Sequence, residues 1–312
     1  MNRITPNAFT TRPEIDGTFG VVASTHWIAT AVGMGILERG GNAFDAAVAT
    51  AFTLQIVEPH LNGPGGDVPL IVYDVRRGKP EVICGQGPAP AGATVAHYRS
   101  LGFDLVPGTG LLAACIPGTF DAYMLLLRDY GTLRIADVLT PAIAYARHGY
   151  PLVERISATI DTVKDLFREH WQSSAAVYLP GGKVPAPGTL FTNRALADTY
   201  ERILREAGAN GSREAEIERA RKVWSEGFVA EAIDRFCRTE AVMDVSGEPH
   251  RGVLTGDDLA KWQATIEAPI SYEYGRYTVL KAGPWTQGLV TLQQLALLKG
   301  FDLDGLDPAG PD

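Results

Sequence analysis

Several groups in this 312-residue sequence could do chemistry, but none comes with a full set of partners. Ser24-Thr25-His26 places two hydroxyls beside an imidazole. They lie inside the chain, with no free amine nearby, so capping of a helix fits them better than nucleophilic attack. No Gly-x-Ser-x-Gly elbow of the kind that exposes a serine nucleophile occurs. The six histidines (His26, His60, His97, His148, His170, His250) show no i,i+4 pairing and have no cysteine pair nearby, so no metal site is expected. Gly63-Pro64-Gly65-Gly66 could cradle a phosphate, yet no Lys-Ser or Lys-Thr follows it and no clear strand precedes it. It reads as a packing loop, and Gly108-Thr109-Gly110 as a turn. Asp45 reads as a helix-start residue and not as an acid. Cys84, Cys115 and Cys237 are too few and too scattered for a disulfide framework and are expected as reduced thiols.

Composition narrows the partners. Hydrophobic residues make up 46% and charged residues 21% of the chain, which suits a globular protein with a sizeable core. A net charge of -8 argues against nucleic acid, whose affinity comes from basic side chains on phosphates. No apolar run approaches the roughly 20 residues of a membrane span. The N-terminus has no apolar segment of signal-peptide type, so a cytoplasmic location is expected, with a periplasmic one left open.

Residues 1–17 read as an irregular arm and Val21-Val22-Ala23 as a short strand. A helix capped by Ser24 or Thr25 should run to the Gly40-Gly41 stop. Asn42, with Asp45 three residues on, should open a second helix through a capping box. The alanines at 43, 46, 47, 49 and 51 let helices approach closely, so 25–57 reads as a buried helical hairpin. Leu70-Ile71-Val72-Tyr73 and Glu81-Val82-Ile83-Cys84 flank Arg76-Arg77-Gly78-Lys79 as a β-hairpin. Pro117-Gly118 should open a further helix, and helices are predicted over 134–148, 153–171, 194–207 and 213–239. Residues 178–189 read as a Pro- and Gly-rich linker. Strands return near 268–272 and 277–280, a helix spans 290–298, and 304–312 has loop composition. The stretch 160–250 is a helical section, and no internal repeat is visible.

Three strings carry more than this pattern: Glu38-Arg39-Gly40-Gly41-Asn42-Ala43-Phe44-Asp45-Ala46-Ala47, then Val57-Glu58-Pro59-His60, then Pro88-Ala89-Pro90-Ala91. In this order and spacing they resemble the γ-glutamyltranspeptidase family. The likeness is strong over 21–91. It continues at Cys115-Ile116-Pro117-Gly118, at Leu254-Thr255-Gly256-Asp257-Asp258-Leu259 and at Gly283-Pro284-Trp285-Thr286-Gln287-Gly288. It implies an α+β fold of the N-terminal-nucleophile hydrolase type, an αββα sandwich to which this chain would supply the helix-rich large-subunit part. Residues 1–312 would form one domain, completed by a separate small subunit cut from the same precursor.

The implied chemistry is acyl transfer. A Thr hydroxyl at the start of the small subunit attacks a γ-glutamyl amide, its own α-amino group serves as base, and water or an amine resolves the acyl-enzyme. No catalytic residue is expected in this chain, no cofactor and no metal. The implied partners are the small subunit and a small-molecule amide; a dimer of heterodimers is one assembly the resemblance allows. Expected substrate contacts are Gln86, Gly87 and Trp285. At Gln86 the sequence departs from the family, which has an Arg there to grip the α-carboxylate of the γ-glutamyl group. Gln cannot give that two-pronged ionic grip. A non-glutamyl amide, such as an oxo-acid amide or a β-lactam side chain, is therefore a second substrate class. A non-catalytic scaffold is a third reading, because the nucleophile is absent from these residues.

Overall fold

The first structural commitment is made by Asn42. Its side chain accepts the N–H groups of Phe44 and Asp45 at 2.9 and 3.0 Å, and Asp45 in return accepts the Asn42 N–H at 2.9 Å. This capping box opens α2 (Ala43–Val57) after α1 (Trp27–Glu38). The small residues expected to bring the two helices together do so. A Cβ on Gly33 of α1 would stand 2.1 Å from the Thr50 hydroxyl of α2, so only glycine permits this approach. The structure is a computed structural model in which residues 15–303 and 305–307 are described. Most of the arm predicted at 1–17 and most of the loop predicted at 304–312 lie outside the described residues.

Two expectations at this end are corrected. Residues 21–23 pair with no strand. The cap of α1 is His26, whose Nδ1 accepts the Ile28 N–H at 3.2 Å, and not Ser24 or Thr25. Thr25 is engaged elsewhere, by the buried Glu58 carboxylate. Burial holds the His26 imidazole below its ordinary pKa, against the pull of Glu58. His26 thus stays neutral, as a hydrogen-bond acceptor must.

After α2 the Gly63–Gly66 loop leads to β1 (Val68–Asp74), which pairs antiparallel with β2 (Lys79–Gly85). The helix–loop–strand order is the reverse of a phosphate-binding loop. The Gly66 carbonyl instead accepts the Gly118 and Thr119 N–H groups, both at 3.1 Å, which docks the loop on the start of α4 (Thr119–Tyr130). Between lies α3 (Val95–Ser100), a short helix capped by Thr94 that the sequence reading missed.

Further on come α5 (Ile135–His148), β3 (Tyr150–Pro151), α6 (Glu154–Glu169), α7 (Gln172–Tyr178), β4 (Leu190–Phe191) and α8 (Arg194–Ala207). The segment read as a linker is tied down: β4 pairs with β3, and Leu152 and Gly188 exchange backbone bonds with the opposite strand. The single helix predicted over 213–239 is two, α9 (Arg213–Ser225) and α10 (Phe228–Thr239). They meet at Gly227, where a Cβ would lie 2.7 Å from the Val223 carbonyl oxygen. The remainder is β5 (Val242–Met243), β6 (Pro249–His250), α11 (Gly256–Lys261), β7 (Thr265–Glu267), β8 (Ile270–Tyr274), β9 (Tyr277–Lys281) and α12 (Gly288–Leu298).

One main core joins these helices to the inner face of the sheet β1-β2-β7. Phe52 of α2 sits at its centre, with Phe120, Tyr123 and Tyr200 edge-on around it at 5.2 to 5.8 Å. Among the described residues the strands form this three-stranded sheet and three two-stranded pairs. Among these residues no second sheet of three or more strands is present. The outward side chains of β1, Ile71 and Tyr73, are 47% and 58% exposed, and α12 buries only Gly288 and Leu292. No described helix is long and apolar enough to cross a membrane.

Candidate functional site

Gln86 directly follows β2, and its backbone is pinned on both sides. A Cβ on Gly85 would stand 2.6 Å from the Ala122 Cβ, and one on Gly87 would stand 2.0 Å from the Ile116 carbonyl oxygen. Glycine is required at both because the chain passes against other elements there. The Ile116 N–H then donates to the Pro88 carbonyl at 3.1 Å. Further along the strap, the Ala91 N–H donates to the Asp258 carboxylate at 2.9 Å, and Asp258 also takes the Thr255 N–H and hydroxyl at 3.0 and 2.7 Å. Partial burial alone would raise the Asp258 carboxyl. The hydrogen bonds from Ala91 and Thr255 outweigh it and hold the group below its ordinary pKa. Two strings that are far apart in sequence, 88–91 and 254–259, are thus one structural unit.

The strap delivers Gln86 to a cavity of about 580 Å³, which is also lined by Asp67, Pro69, Ile71, Lys281, Trp285, Thr286, Gln287 and Thr291. Alternate β1 residues, Pro69 and Ile71, belong to the outer face of the sheet, as a period of two requires. The start of α12 and the turn before it supply the opposite wall. Trp285 is half-buried, and its indole N–H donates to Glu267 Oε2 at 2.9 Å. Glu267 ends β7. The approach to that strand is fixed from the core, where the Ala264 N–H donates to Asp121 of α4 at 2.7 Å. Asp121 in turn takes a two-pronged pair from the buried Arg221 of α9, at 2.6 and 2.9 Å. Helical packing is thereby transmitted to the position of Trp285.

Of the three residues expected to contact substrate, Gln86 and Trp285 line this one cavity; Gly87 does not, being buried under Ile116. Lys281, Asp67 and Glu267 were not anticipated. Lys281 could have been suspected, since it directly follows the strand expected at 277–280, two residues before Gly283-Pro284-Trp285. Asp67 and Glu267 carried no such signal.

What the lining can do is limited. The hydroxyls of Thr286 and Thr291 both donate to backbone carbonyls, at 3.0 and 3.1 Å, and Thr286 also accepts the Gly288 N–H. Neither has a base. Cys84 lies just before Gln86, and burial pushes its thiol up, with Glu267 adding to the effect against a hydrogen bond with the Gln86 backbone. A thiol so raised is a poor nucleophile at neutral pH. These residues can bind and orient a polar molecule, but they contain no activated attacking group.

The helix-backed sheet thus has a bare outer face with a polar cavity on it. The fold class is that of the N-terminal-nucleophile hydrolases. The solved structure of LmbA2991HD matches with a TM-score of 0.89 at 57% identity, covering 97% of this chain and 51% of that one. The cephalosporin acylase from Bacillus halodurans matches with a TM-score of 0.81 at 31% identity, covering 97% and 53%. The glutathione hydrolase-like YwrD proenzyme of Bacillus subtilis (strain 168) is 31% identical over 294 residues, 93% of this chain and 51% of that protein. The family model for gamma-glutamyltranspeptidase matches residues 29–312. The chain belongs to the γ-glutamyltranspeptidase family, and it spans about half the length of the curated relatives it matches.

Proposed function

We propose that this chain is the large-subunit part of a self-cleaving precursor, and that its Gln86 cavity is one wall of an acyl-transfer site. The smaller part supplies the second sheet and, as its first residue, a Thr. That Thr hydroxyl attacks the carbonyl of a γ-glutamyl-type amide while its own α-amine takes the proton. The amine half of the substrate leaves, and water or a second amine releases the acyl group. The observation that carries this reading is the cavity itself. It has polar groups to hold a substrate, and its hydroxyls are already committed to the backbone. The bare apolar faces of β1 and α12 beside it support a large, permanent partner surface.

Gln86 favours a second substrate class. Replacing an Arg–carboxylate bond with a neutral one costs about 1.5–3 kcal/mol, or one to two decades in affinity. An amide whose acyl group carries less charge, as in an acylase substrate, would lose nothing. Hydrolysis of γ-glutamyl-p-nitroanilide by the product of the complete gene, set against a β-lactam side-chain amide, separates the two classes. Gln86→Arg is expected to raise kcat/KM for the γ-glutamyl anilide about tenfold. Unchanged or lower turnover would remove Gln86 from the determinants of specificity. A gene product that is uncut and inert on both amides would leave only the scaffold reading.

A further inference from the structure

Among the described residues the Gln86 cavity has one cationic lining residue. Lys281 closes β9 and is half-buried, with its stem held against the start of α12: a Cβ on Gly288 would stand 2.9 Å from the Lys281 Cβ. The Lys281 ammonium differs from the other partly buried cations. Arg221 is paired with Asp121, Arg134 with Glu216, and Arg128 with Asp129. Among the described residues no carboxylate lies within 4.0 Å of the Lys281 ammonium, and it donates no hydrogen bond. Asp67, the one acidic residue of the lining, is likewise in no ion pair. A partly buried lysine without a counter-ion, lining a cavity with protein on several sides, attracts an anion more strongly than one on an open surface.

We propose that Lys281 recognises a carboxylate on the acyl part of the substrate, a role that rests on the acyl-transfer reading above. The cavity then selects amides whose acyl group carries a carboxylate, held by a point charge from the β9 side. Gln86 adds neutral N–H donors from the β2 side. A lysine suits this better than an arginine would, because its single compact charge demands no two-pronged alignment from the ligand. Asp67 sets the upper limit on charge: it disfavours a second carboxylate and accepts an ammonium. On this account, the neutral residue at 86 does not mean a neutral substrate. The charge that reads the substrate has moved to another strand.

The test uses the processed two-part enzyme and two substrates, γ-glutamyl-p-nitroanilide and the same anilide with its α-carboxylate converted to a carboxamide. Wild type, Lys281→Gln and Lys281→Arg are compared by kcat and KM. In Lys281→Gln the preference for the acid over the carboxamide should fall about ten- to hundredfold, mainly through KM, and Lys281→Arg should retain most of it. An unchanged preference in Lys281→Gln overturns the assignment. If wild-type enzyme cleaves neither anilide, the γ-glutamyl form of the acyl-transfer reading fails, and binding of L-glutamate to the same three proteins by calorimetry decides the Lys281 assignment alone. Binding lost in Lys281→Gln and kept in Lys281→Arg upholds it. Equal binding by all three, or none by wild type, overturns it.

Discussion

Asp45→Ala is expected to cost about 4 kcal/mol of folding stability, the largest effect of any single substitution considered for this chain. Asp45 is fully buried, and both of its oxygens are in use. Oδ1 accepts the N–H groups of Thr132 and Leu133 at 2.9 and 3.1 Å; Oδ2 accepts the Thr132 hydroxyl at 2.7 Å and the Asn42 N–H at 2.9 Å. One carboxylate thus caps α2 and fastens it to the turn between α4 and α5. Beside it, Asn42 donates to the Tyr130 carbonyl at 2.8 Å. Alanine would leave three backbone donors and a hydroxyl without their acceptor at a part-buried junction, each costing at most about 1–3 kcal/mol. Since a domain is stable by only about 5–15 kcal/mol, much of the margin would go. Urea denaturation followed by circular dichroism measures the loss. A cost below about 1 kcal/mol would mean that water or a local shift satisfies those donors.

Gly87→Ala is expected to cost about 3 kcal/mol and to lower kcat/KM of the processed enzyme by about a hundredfold. The added methyl would stand 2.0 Å from the Ile116 carbonyl oxygen and 2.7 Å from the Ile116 Cβ. Backbone cannot retreat there as a side chain could, because Ile116 is itself bonded to Pro88. The strap must move, and Gln86 moves with it. Displacing a binding group by about 1 Å costs roughly two decades in rate. Gly63→Ala is the matched control, since a Cβ there meets nothing within 4 Å. Equal behaviour of the two variants in thermal melts and in turnover would show that the strap does not position Gln86.

The elements legible in the sequence were those specified by local chemistry. The Asn42/Asp45 capping box marked the start of α2, and the β1–β2 hairpin followed from two β-rich runs around Arg76-Arg77-Gly78. Where the deciding contact is distant, the reading failed. Residues 213–239 read as one helix, but at Gly227 a close approach to Val223 separates α9 from α10. His26 took the cap of α1 because Thr25 is drawn to Glu58, 33 residues away. Residues 178–189 had linker composition and yet are stitched to β3 through Leu152.

The site divides in the same way. Gln86 and Trp285 came from family resemblance, and both line the cavity. Gly87 packs under Ile116 and is not among the lining residues. Lys281 and Asp67 are ordinary charged residues in sequence, and only folding puts them beside Gln86. The link from Asp121 of α4 through β7 and Glu267 to Trp285 joins parts of the chain far apart in sequence and has no local signature.

This cavity is expected to be completed by a Thr-led companion cut from the same precursor. Intact-mass analysis with N-terminal sequencing of the purified product of the complete gene tests it most directly. Two tightly associated polypeptides, the smaller beginning with Thr, are the predicted result. An amide-cleaving product that remains a single uncut chain, or whose smaller piece begins with another residue, would contradict it.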